Sequence, residues 1–264
     1  MFFCVEERTK GSDFSMALPH SHEHYELYFL LEGKRSFFTE DKMFVIEKGT
    51  LVVVPPFRMH KTEGGPYRRL NINFSEDFLT PEETRLLSEL SEAGATRFDG
   101  TYGTVNDALL SELASVQTRE LRRRMETEVN LMHTLLYFIG REKIKPLSPA
   151  GMSRQTGESD PLVLKITYFL NTNFAKEVTL GKLESEFYLS KATLCARFRK
   201  KMGCSIMEYL SLVRLSHAKS LLTSSDMTVE QIAAECGFSS ANYLGLVFRK
   251  EIGVSPLGYR KRVR

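Results

Sequence analysis

The sequence predicts an α+β protein of two domains, an N-terminal antiparallel β-barrel with following helices and a C-terminal all-α domain. Two observations carry this prediction. Short apolar runs broken by turn residues fill residues 25–74, and one short pattern occurs twice in the last third of the chain. Of the 264 residues, 42% are hydrophobic and 26% charged, a composition that is typical of globular proteins and argues against a disordered chain.

The strands are predicted from apolar runs that each end at a turn signal. Leu27–Leu31 precedes Glu-Gly, Phe44–Ile46 precedes Glu-Lys-Gly, and Leu51–Val54 precedes two prolines. Together with Leu70–Phe74, these runs have the regular spacing of a small antiparallel barrel or sandwich.

From Pro81 onward the apolar residues repeat at intervals of three and four, which predicts helices. The longest stripe comprises Leu121, Met125, Val129, Met132, Leu136 and Ile139, and a shorter one comprises Leu109, Leu110, Leu113 and Val116. Such stripes either cover the barrel or pair with a second copy in a homodimer, and the sequence leaves both interpretations open. A segment rich in Pro, Gly and Ser predicts a linker, so the expected domains are 1–145 and 161–264, joined by 146–160.

The C-terminal repeat is the most specific feature of the chain. The segment FRKKMGCS at 198–205 returns as FRKEIGVS at 248–255, and Tyr209 and Tyr259 follow the two copies at the same distance. The sequence therefore uses one small helical unit twice.

The residues before each copy predict how the unit folds. Thr179 and Thr228 begin matching helices, and Ser190 and Ser239 are suited to cap the next helix of each unit. In the second copy Gly237 supplies a turn residue that tolerates a positive φ. Each unit is thus predicted to be a helix-turn-helix.

Further capping signals fix the remaining helices. Asp160-Pro161 begins the first helix, Ser205–Glu208 opens a long one, Thr228–Gln231 is a second capping box, and Ser255-Pro256 begins the last. The long helix is a rigid spacer of roughly 25 Å, which suits two recognition helices about 34 Å apart in successive major grooves.

The charge distribution points to the same partner. Residues 161–264 carry 16 Lys and Arg against 8 Asp and Glu, a net charge of +8, whereas the rest of the chain is at −5. A basic domain fused to an acidic one is typical of phosphate binding combined with a separate task. Double-stranded DNA is the expected partner.

Within each second helix, two apolar residues must face inward, namely Leu194 and Phe198 in the first unit and Leu244 and Phe248 in the second. The residues between them are the candidates for DNA contact. They are Lys191, Ala192, Cys195, Ala196, Arg197 and Arg199 in the first unit, and Ser240, Ala241, Asn242, Gly245 and Arg249 in the second. Asn242 suits adenine and Arg197 suits guanine, whereas Arg199 and Arg249 are expected at phosphates or acidic neighbours.

Residues 161–264 resemble the AraC/XylS family of bacterial transcription regulators. The match is carried by Ile232-Ala233, Gly237-Phe238-Ser239-Ser240, Tyr243, Phe248-Arg249-Lys250, Gly253, Ser255-Pro256 and Tyr259-Arg260. The resemblance implies seven helices with two helix-turn-helix units. Two positions depart from the family pattern: Leu246 stands where members often have Arg, and Glu184 where a small residue is usual.

The N-terminal part holds a second pattern, His20-x-His22-x-x-x-Glu26 followed by His60. On alternate strand residues, His20, His22 and Glu26 are expected to share one face, with His24 on the other. Three imidazoles and a carboxylate can hold a divalent metal. The spacing, with Gly33, Gly49 and Pro55, resembles the two cupin motifs, although Phe57 replaces the usual Gly.

Three interpretations of this cupin-like barrel stay open: an effector sensor that keeps the motif without metal, a metal site, or an active metalloenzyme. The resemblance favours the sensor and no cofactor. The expected effector-binding residues are His20, His22, Glu26, Tyr28, Arg35, Phe37 and His60, and the candidate metal ligands among them are His20, His22, Glu26 and His60.

The sequence therefore predicts a sequence-specific DNA-binding transcription regulator, with no catalysis, that responds to a sugar or related metabolite. The expected partners are DNA, the effector, a second copy of the chain and RNA polymerase. The alternatives are a metal-binding cupin enzyme of the dioxygenase or isomerase type with a nucleic-acid module, and a helical scaffold. Without a membrane span, a signal peptide or a CxxC pair, we expect a cytoplasmic protein that has reduced cysteines and no membrane partner.

Overall fold

The computed structural model of the protein describes residues 2–40, 42–98, 100–116, 123–143, 145–149 and 160–263. It divides into two compact units. The first holds all the β-strands and helices α1–α3, and the second holds helices α4–α10. The predicted linker lies largely outside the described residues, so the predicted domain boundaries stay a prediction.

The first unit is an antiparallel β domain with three helices. Its strands are β1 Phe3–Lys10, β2 Tyr25–Thr39, β3 Lys42–Glu47, β4 Thr50–Val54, β5 His60–Glu63, β6 Tyr67–Phe74, β7 Ala95–Arg97 and β8 Lys145–Pro146. Its helices are α1 Pro81–Ala93, α2 Gly103–Val116 and α3 Arg124–Gly140, with a 3-10 turn at Glu76–Phe78. The four strands that the apolar runs predicted are all present.

Strand β2 organises this unit because it pairs with four others. The main sheet runs β1-β6-β2-β4-β7-β8, and the register of β2 against β6 shifts between Leu30 and Glu32. Before the shift β2 pairs with β4, and from residue 34 onward it pairs with β3 and β5. One strand thus serves two parts of the barrel.

The two faces of β2 pack into different cores. Leu27 and Phe29 belong to an apolar core that also contains Leu113 of α2 and Met132 of α3. The alternate residues, including Tyr28, belong to a separate inner core. Side chains of a strand alternate between its two faces. Each residue of β2 that packs against the helices is therefore followed by a residue that faces the barrel interior.

Helix α3 covers the sheet, which supports the covering interpretation of its stripe. Met132, Leu136 and Ile139 are buried, as predicted. Met125, in the first turn of the helix, is 57% exposed. Leu121 lies outside the described residues.

The second unit is all-helical, as predicted. Its helices are α4 Pro161–Asn173, α5 Leu180–Phe187, α6 Lys191–Met202, α7 Ile206–Ser224, α8 Val229–Glu235, α9 Ala241–Ile252 and α10 Pro256–Val263. Within residues 160–263 these are seven helices, the number that the resemblance implies. None of the helices in the described residues has the length and apolar character needed to cross a membrane.

The sequence repeat is a structural repeat. Phe198 packs edge-to-face on Tyr209 at 5.5 Å, and Phe248 packs in the same way on Tyr259 at 5.2 Å. The repeated glycine ends both helices in the left-handed region, with φ values of 84° and 83° at Gly203 and Gly253. Only glycine adopts this conformation without strain, which explains its return in both copies.

The caps are confirmed with one correction. Thr179, Ser190 and Thr228 accept the predicted backbone hydrogen bonds. In the second unit, however, the cap of α9 is Ser240, whose hydroxyl accepts from Tyr243 N at 3.1 Å, and not Ser239. From cap to cap the second unit is one residue longer than the first, because Ser240 follows Thr228 by 12 positions and Ser190 follows Thr179 by 11.

Helix α7 belongs to both helix-turn-helix cores. Its N-terminal residues Ile206 and Leu210 are buried in the core of α4–α6. Its C-terminal residues Leu215 and Leu222 are buried in the core of α8–α10. With 19 residues at 1.5 Å each, the shared helix is roughly 28 Å long.

Candidate functional site

The predicted recognition helices α6 and α9 bury the predicted apolar residues. Leu194, Phe198, Leu244 and Phe248 are all at 0% exposure. Most candidate contact residues are exposed, and Cys195, Ala241 and Gly245 are partly buried. Each helix therefore presents a polar face to solvent.

Two basic residues of α6 already have acidic partners. The guanidinium of Arg197 donates two hydrogen bonds to Asp160, from Nε at 3.0 Å and from Nη2 at 2.6 Å. Lys191 Nζ lies 3.7 Å from Glu184 Oε2. Glu184, which replaces the usual small residue, thus offsets part of the charge of this helix.

Asp160 has two roles at once. Its Oδ1 caps α4 by accepting from Leu162 N at 3.0 Å and from Val163 N at 3.4 Å. Partial burial raises the pKa of Asp160, but the Arg197 hydrogen bond and charge and these backbone donors outweigh it and keep the pKa below its usual value. Asp160 is therefore a carboxylate that competes for Arg197.

Helix α9 borders a cleft of 750 Å³. Asn242, Gly245, Leu246 and Arg249 line one side of it, and Glu230 and Leu257 are among the residues opposite. Leu246 is 65% exposed and Leu257, which also lines the cleft, is 56% exposed. The second recognition helix thus combines an apolar centre with polar ends.

In the barrel, two of the predicted histidines meet the predicted carboxylate. Glu26 Oε2 lies 2.9 Å from His22 Nε2 and 3.4 Å from His60 Nε2. The other oxygen, Oε1, accepts a hydrogen bond from Asn71 Nδ2.

The surroundings of Glu26 favour its charged form. Burial alone raises the pKa of this carboxyl, but hydrogen bonds from His22 and His60 and their charges outweigh it, so the pKa lies well below the usual value. Arg69 Nη1, 4.0 Å from Oε1, adds a further positive charge. Glu26 is the negative centre of the barrel interior.

The remaining predicted effector residues extend this cluster. Phe37 stacks on His60 at 6.0 Å and packs edge-to-face on Tyr28 at 5.3 Å. Arg35 is 1% exposed, and its guanidinium lies over the ring of Tyr67 at 4.3 Å. Six of the seven predicted effector residues therefore belong to the first unit, whereas His20 lies in the segment 17–21, which belongs to the second unit.

Two expectations about the histidines are wrong. His20 and His22 precede β2, which begins at Tyr25, so they do not lie on alternate strand residues. His24 does not point to the opposite face: its ring stacks on that of His22 at 4.1 Å, and its carbonyl oxygen accepts a hydrogen bond from His22 Nδ1 at 2.8 Å. The chain bends at residues 23–24, and strand alternation does not apply across a bend.

Two residues of the cluster were missed by the sequence analysis. Arg69 and Asn71 on β6 contact Glu26, because Asn71 lies directly opposite Tyr28 in the sheet register. Alternating polar residues on β6 were the available signal. Only the pairing of β6 with β2 shows that they face the same interior.

Phe57 stands where the cupin pattern has glycine, and its backbone conformation shows how this position is kept. Its φ is 64°, in the left-handed region where glycine is the usual residue. The backbone therefore keeps the glycine conformation although the side chain has changed.

Two helix-turn-helix units on one shared helix, in a chain that also has a barrel with a polar interior, define a DNA-binding transcription regulator with a ligand-binding domain. Two protein-family models match the chain. The AraC-like ligand binding domain matches residues 2–125, and a helix-turn-helix domain matches residues 183–262. The chain belongs to the AraC family of transcription regulators.

Curated relatives agree with this assignment. The chain is 28% identical to the HTH-type transcriptional activator RhaR of Escherichia coli (strain K12) over 254 residues, which are 91% of this chain and 86% of that protein. It is 23% identical to the activator RhaS of Klebsiella pneumoniae (strain 342) over 262 residues, covering 97% and 91%.

Among solved structures, the DNA-binding domain of AdpA in complex with a target DNA is 32% identical. The match covers 40% of this chain and 95% of that one, with a TM-score of 0.38.

Proposed function

We propose that the protein reads a specific DNA sequence with α6 and α9 and regulates transcription when a small effector binds inside the barrel. The observation that carries this proposal is the pair of matching recognition helices whose cores share α7. Their solvent faces hold the residue types that read base edges, with Arg197 on α6 and Asn242 on α9.

Capture of genomic DNA fragments by the purified full-length protein, at two salt concentrations, tests this proposal. We expect a few sites that are retained at high salt, because base contacts persist when phosphate contacts are screened. Uniform recovery that disappears with salt would contradict it.

Two residues of α9 are expected to act differently on DNA. Asn242→Ala should cost about 1–3 kcal/mol at one base position and relax the preference there, because an amide reads adenine through two hydrogen bonds. Arg249→Ala should weaken binding to all sequences and reduce the salt slope by about 1, because it removes one phosphate contact. Binding titrations at several salt concentrations, on the selected site and on single-base variants, separate the two results. Lys165→Ala on α4 is the control. If Arg249→Ala lost base preference as much as Asn242→Ala, Arg249 would contact a base and not a phosphate.

Release of Arg197 is expected to strengthen DNA binding. Asp160→Asn keeps a side chain that caps α4 equally well but removes the charge that holds Arg197. We expect affinity for the selected site to rise about 3- to 10-fold and the salt slope to increase by about 1. Fluorescence anisotropy measures both, and helical circular dichroism confirms that the cap is kept. Unchanged or weaker binding would show that Asp160 orients Arg197 for DNA instead of competing for it.

The effector is proposed to bind among His20, His22, Glu26, Tyr28, Arg35, Phe37 and His60. The cluster offers both donors and acceptors, which suits a hydroxylated molecule such as a sugar or related metabolite. Because Leu27 and Phe29 pack against the helices while Glu26 and Tyr28 face the interior, movement of β2 on binding would change the packing of α2 and α3. We propose this as the route by which the effector alters DNA binding.

A metal is a second candidate ligand of this cluster, favoured by its geometry. His22 Nδ1 donates to the His24 carbonyl, so Nε2 is the nitrogen that would bind an ion, in exchange for the proton that it shares with Glu26. The distances of 2.9 and 3.4 Å from Glu26 Oε2 to the two imidazole nitrogens match neighbouring ligands of an ion bound at about 2.1 Å. The residues of the first unit therefore fit a divalent ion such as Zn²⁺, held by His22, Glu26 and His60.

Elemental analysis of the purified protein, and titration of the metal-free protein with Zn²⁺, test this second candidate. We expect one equivalent per chain, lost in His22→Ala and kept in His133→Ala, a histidine that pairs with Glu83 between α1 and α3. Substoichiometric metal in the wild type would leave the cluster as an effector site alone.

The remaining expectations are proposals of the same kind. We propose a homodimer that acts on RNA polymerase in the cytoplasm without catalytic activity. The exposed Tyr137 of α3 supports the dimer as part of a contact surface. Sedimentation equilibrium of the wild type and of Tyr137→Glu tests it, since a charge in that surface should favour the monomer.

A further inference from the structure

The barrel interior contains polar atoms that the described residues leave unsatisfied. Tyr28 Oη, Arg35 Nε and Arg69 Nη1 are buried and form no hydrogen bond of good geometry in the described part of the chain, although the Tyr28 hydroxyl lies close enough to the Arg35 guanidinium to offset part of the lowering of the Arg35 pKa by burial. Buried donors are normally paired, and each one left unpaired costs about 1–3 kcal/mol. Three of them on neighbouring side chains point to a ligand that supplies acceptors.

Arg35 is the strongest of these observations. Its Nη1 donates to the carbonyl oxygens of Phe14, Gly64 and Gly65 at 2.7–3.2 Å, and its Nη2 has a long contact of 3.3 Å with Thr62 Oγ1. The Nε–Nη2 edge, which can bind a carboxylate through two parallel hydrogen bonds, is thus held only by this long contact and by the neighbouring Tyr28 hydroxyl.

The charge of Arg35 is also unbalanced. Among the described residues no carboxylate forms an ion pair with this fully buried guanidinium. Burial lowers the pKa of Arg35, as expected for a cation in a weakly polar site. A buried cation is normally paired, so an anion is the missing partner.

Tyr28 connects the two arginines. The Arg69 guanidinium lies over the Tyr28 ring at 5.4 Å, and Arg35 and Arg69 both interact electrostatically with the Tyr28 hydroxyl. The Tyr28 hydroxyl can donate one hydrogen bond to an acceptor between the two arginines. On the same strand as Arg69, Asn71 Oδ1 is a buried acceptor without a partner among the described residues, suited to a hydroxyl group.

We infer that the effector is an oxyanion, a small hydroxylated carboxylate or phosphate ester, whose charged group binds between Arg35, Tyr28 and Arg69. This inference rests on the proposed effector site and narrows its ligand from any sugar-like molecule to an acidic one. The hydroxyl groups of such a ligand would face Asn71 and the Glu26 cluster.

Thermal unfolding of the full-length protein in sodium acetate, phosphate or chloride, at equal ionic strength and pH, tests the inference. An anion at ten times its dissociation constant should raise the melting temperature by about 4 °C over chloride. A rise in acetate alone assigns a carboxylate, and a rise in phosphate alone assigns a phosphate. Equal melting temperatures in the three salts would overturn the inference.

Variants separate specific binding from the general stabilising effect of such salts. The rise should be lost in Tyr28→Phe and in Arg35→Met, and kept in Arg68→Gln. Arg68 is the neighbour of Arg69 on β6 but pairs with Glu7 and Glu32 at the exposed edge. If Arg35→Met does not fold, Tyr28→Phe decides alone, and persistence of the rise in it would overturn the inference.

Glucose, a neutral probe, distinguishes the proposed effector site from the proposal that its ligand is acidic. Stabilisation by glucose that depends on Tyr28, without an anion effect, would reject the acidic ligand and retain the effector site. Failure of the DNA capture, by contrast, would reject the regulator and leave the anion result unaffected.

Discussion

Phe248→Ala is expected to remove the second recognition helix from the DNA complex. Phe248 is fully buried at the centre of the α8–α10 core, and Phe→Ala changes at such positions cost about 3–5 kcal/mol. The loss is large compared with the total stability of a small domain, so α9 should no longer be held in place. We expect the affinity for the selected site to fall at least about 100-fold.

The protected DNA should show which half is lost. In hydroxyl-radical footprinting, Phe248→Ala should protect one major groove where the wild type protects two. Phe198→Ala should lose the opposite half, because Phe198 belongs to the separate α4–α6 core. Loss of opposite halves of the footprint in the two variants would show that the two helix-turn-helix units contact DNA separately.

Leu246→Ala on the same helix is the control for stability. Leu246 is exposed, so its removal should change the melting temperature little. An unchanged two-groove footprint in Phe248→Ala would contradict the model of two readers. A complete loss of both halves would show instead that α7 couples the two cores into one cooperative unit.

Glu26→Gln is expected to destabilise the barrel by about 3 kcal/mol, because it removes the anion from a buried set of positive and donor groups. His22, His60 and Asn71 donate to this carboxylate, and Arg69 lies 4.0 Å away. A glutamine of nearly the same shape offers one acceptor and places an amide N–H₂ against donors. The cost is therefore electrostatic and not a matter of packing.

Hydrogen exchange followed by mass spectrometry locates this effect. Amides of β2 and β6 should exchange about 100-fold faster in Glu26→Gln, whereas those of α7 should not change. Glu32→Gln, on the same strand, is the matched control, since Glu32 pairs with Arg68 at the exposed edge. Equal exchange rates in the two variants would show that Glu26 does not organise the interior.

Most of the helical unit could be predicted from the sequence, because its signals are local. A cap, a capping box or a C-terminal glycine acts within four residues of the helix end, so the types of residue there are sufficient. The one error, Ser239 for Ser240, arose because the two units differ in length: Thr179 and Thr228 are 49 residues apart, whereas Phe198 and Phe248 are 50 apart. The offset of the second helices places Ser240, and not Ser239, opposite Ser190.

The barrel site was only half predictable. His22, Glu26 and His60 were found from their spacing, but the parity argument for His20, His22 and His24 assumed a strand that begins only at Tyr25. Arg69 and Asn71 were missed because their position depends on the register between β6 and β2. Register is fixed by pairing across the sheet, and the sequence of one strand does not show which residues of another strand lie opposite it.

The sequence by itself determined the two-part α+β architecture, the repeated helix-turn-helix and the residues that cap it, because these follow from periodicity and short-range chemistry. Only the tertiary structure decided that Asp160 holds Arg197 and that Arg35, Tyr28 and Arg69 leave donors open in the barrel. These depend on side chains far apart in the chain, whose meeting is set by packing and strand register.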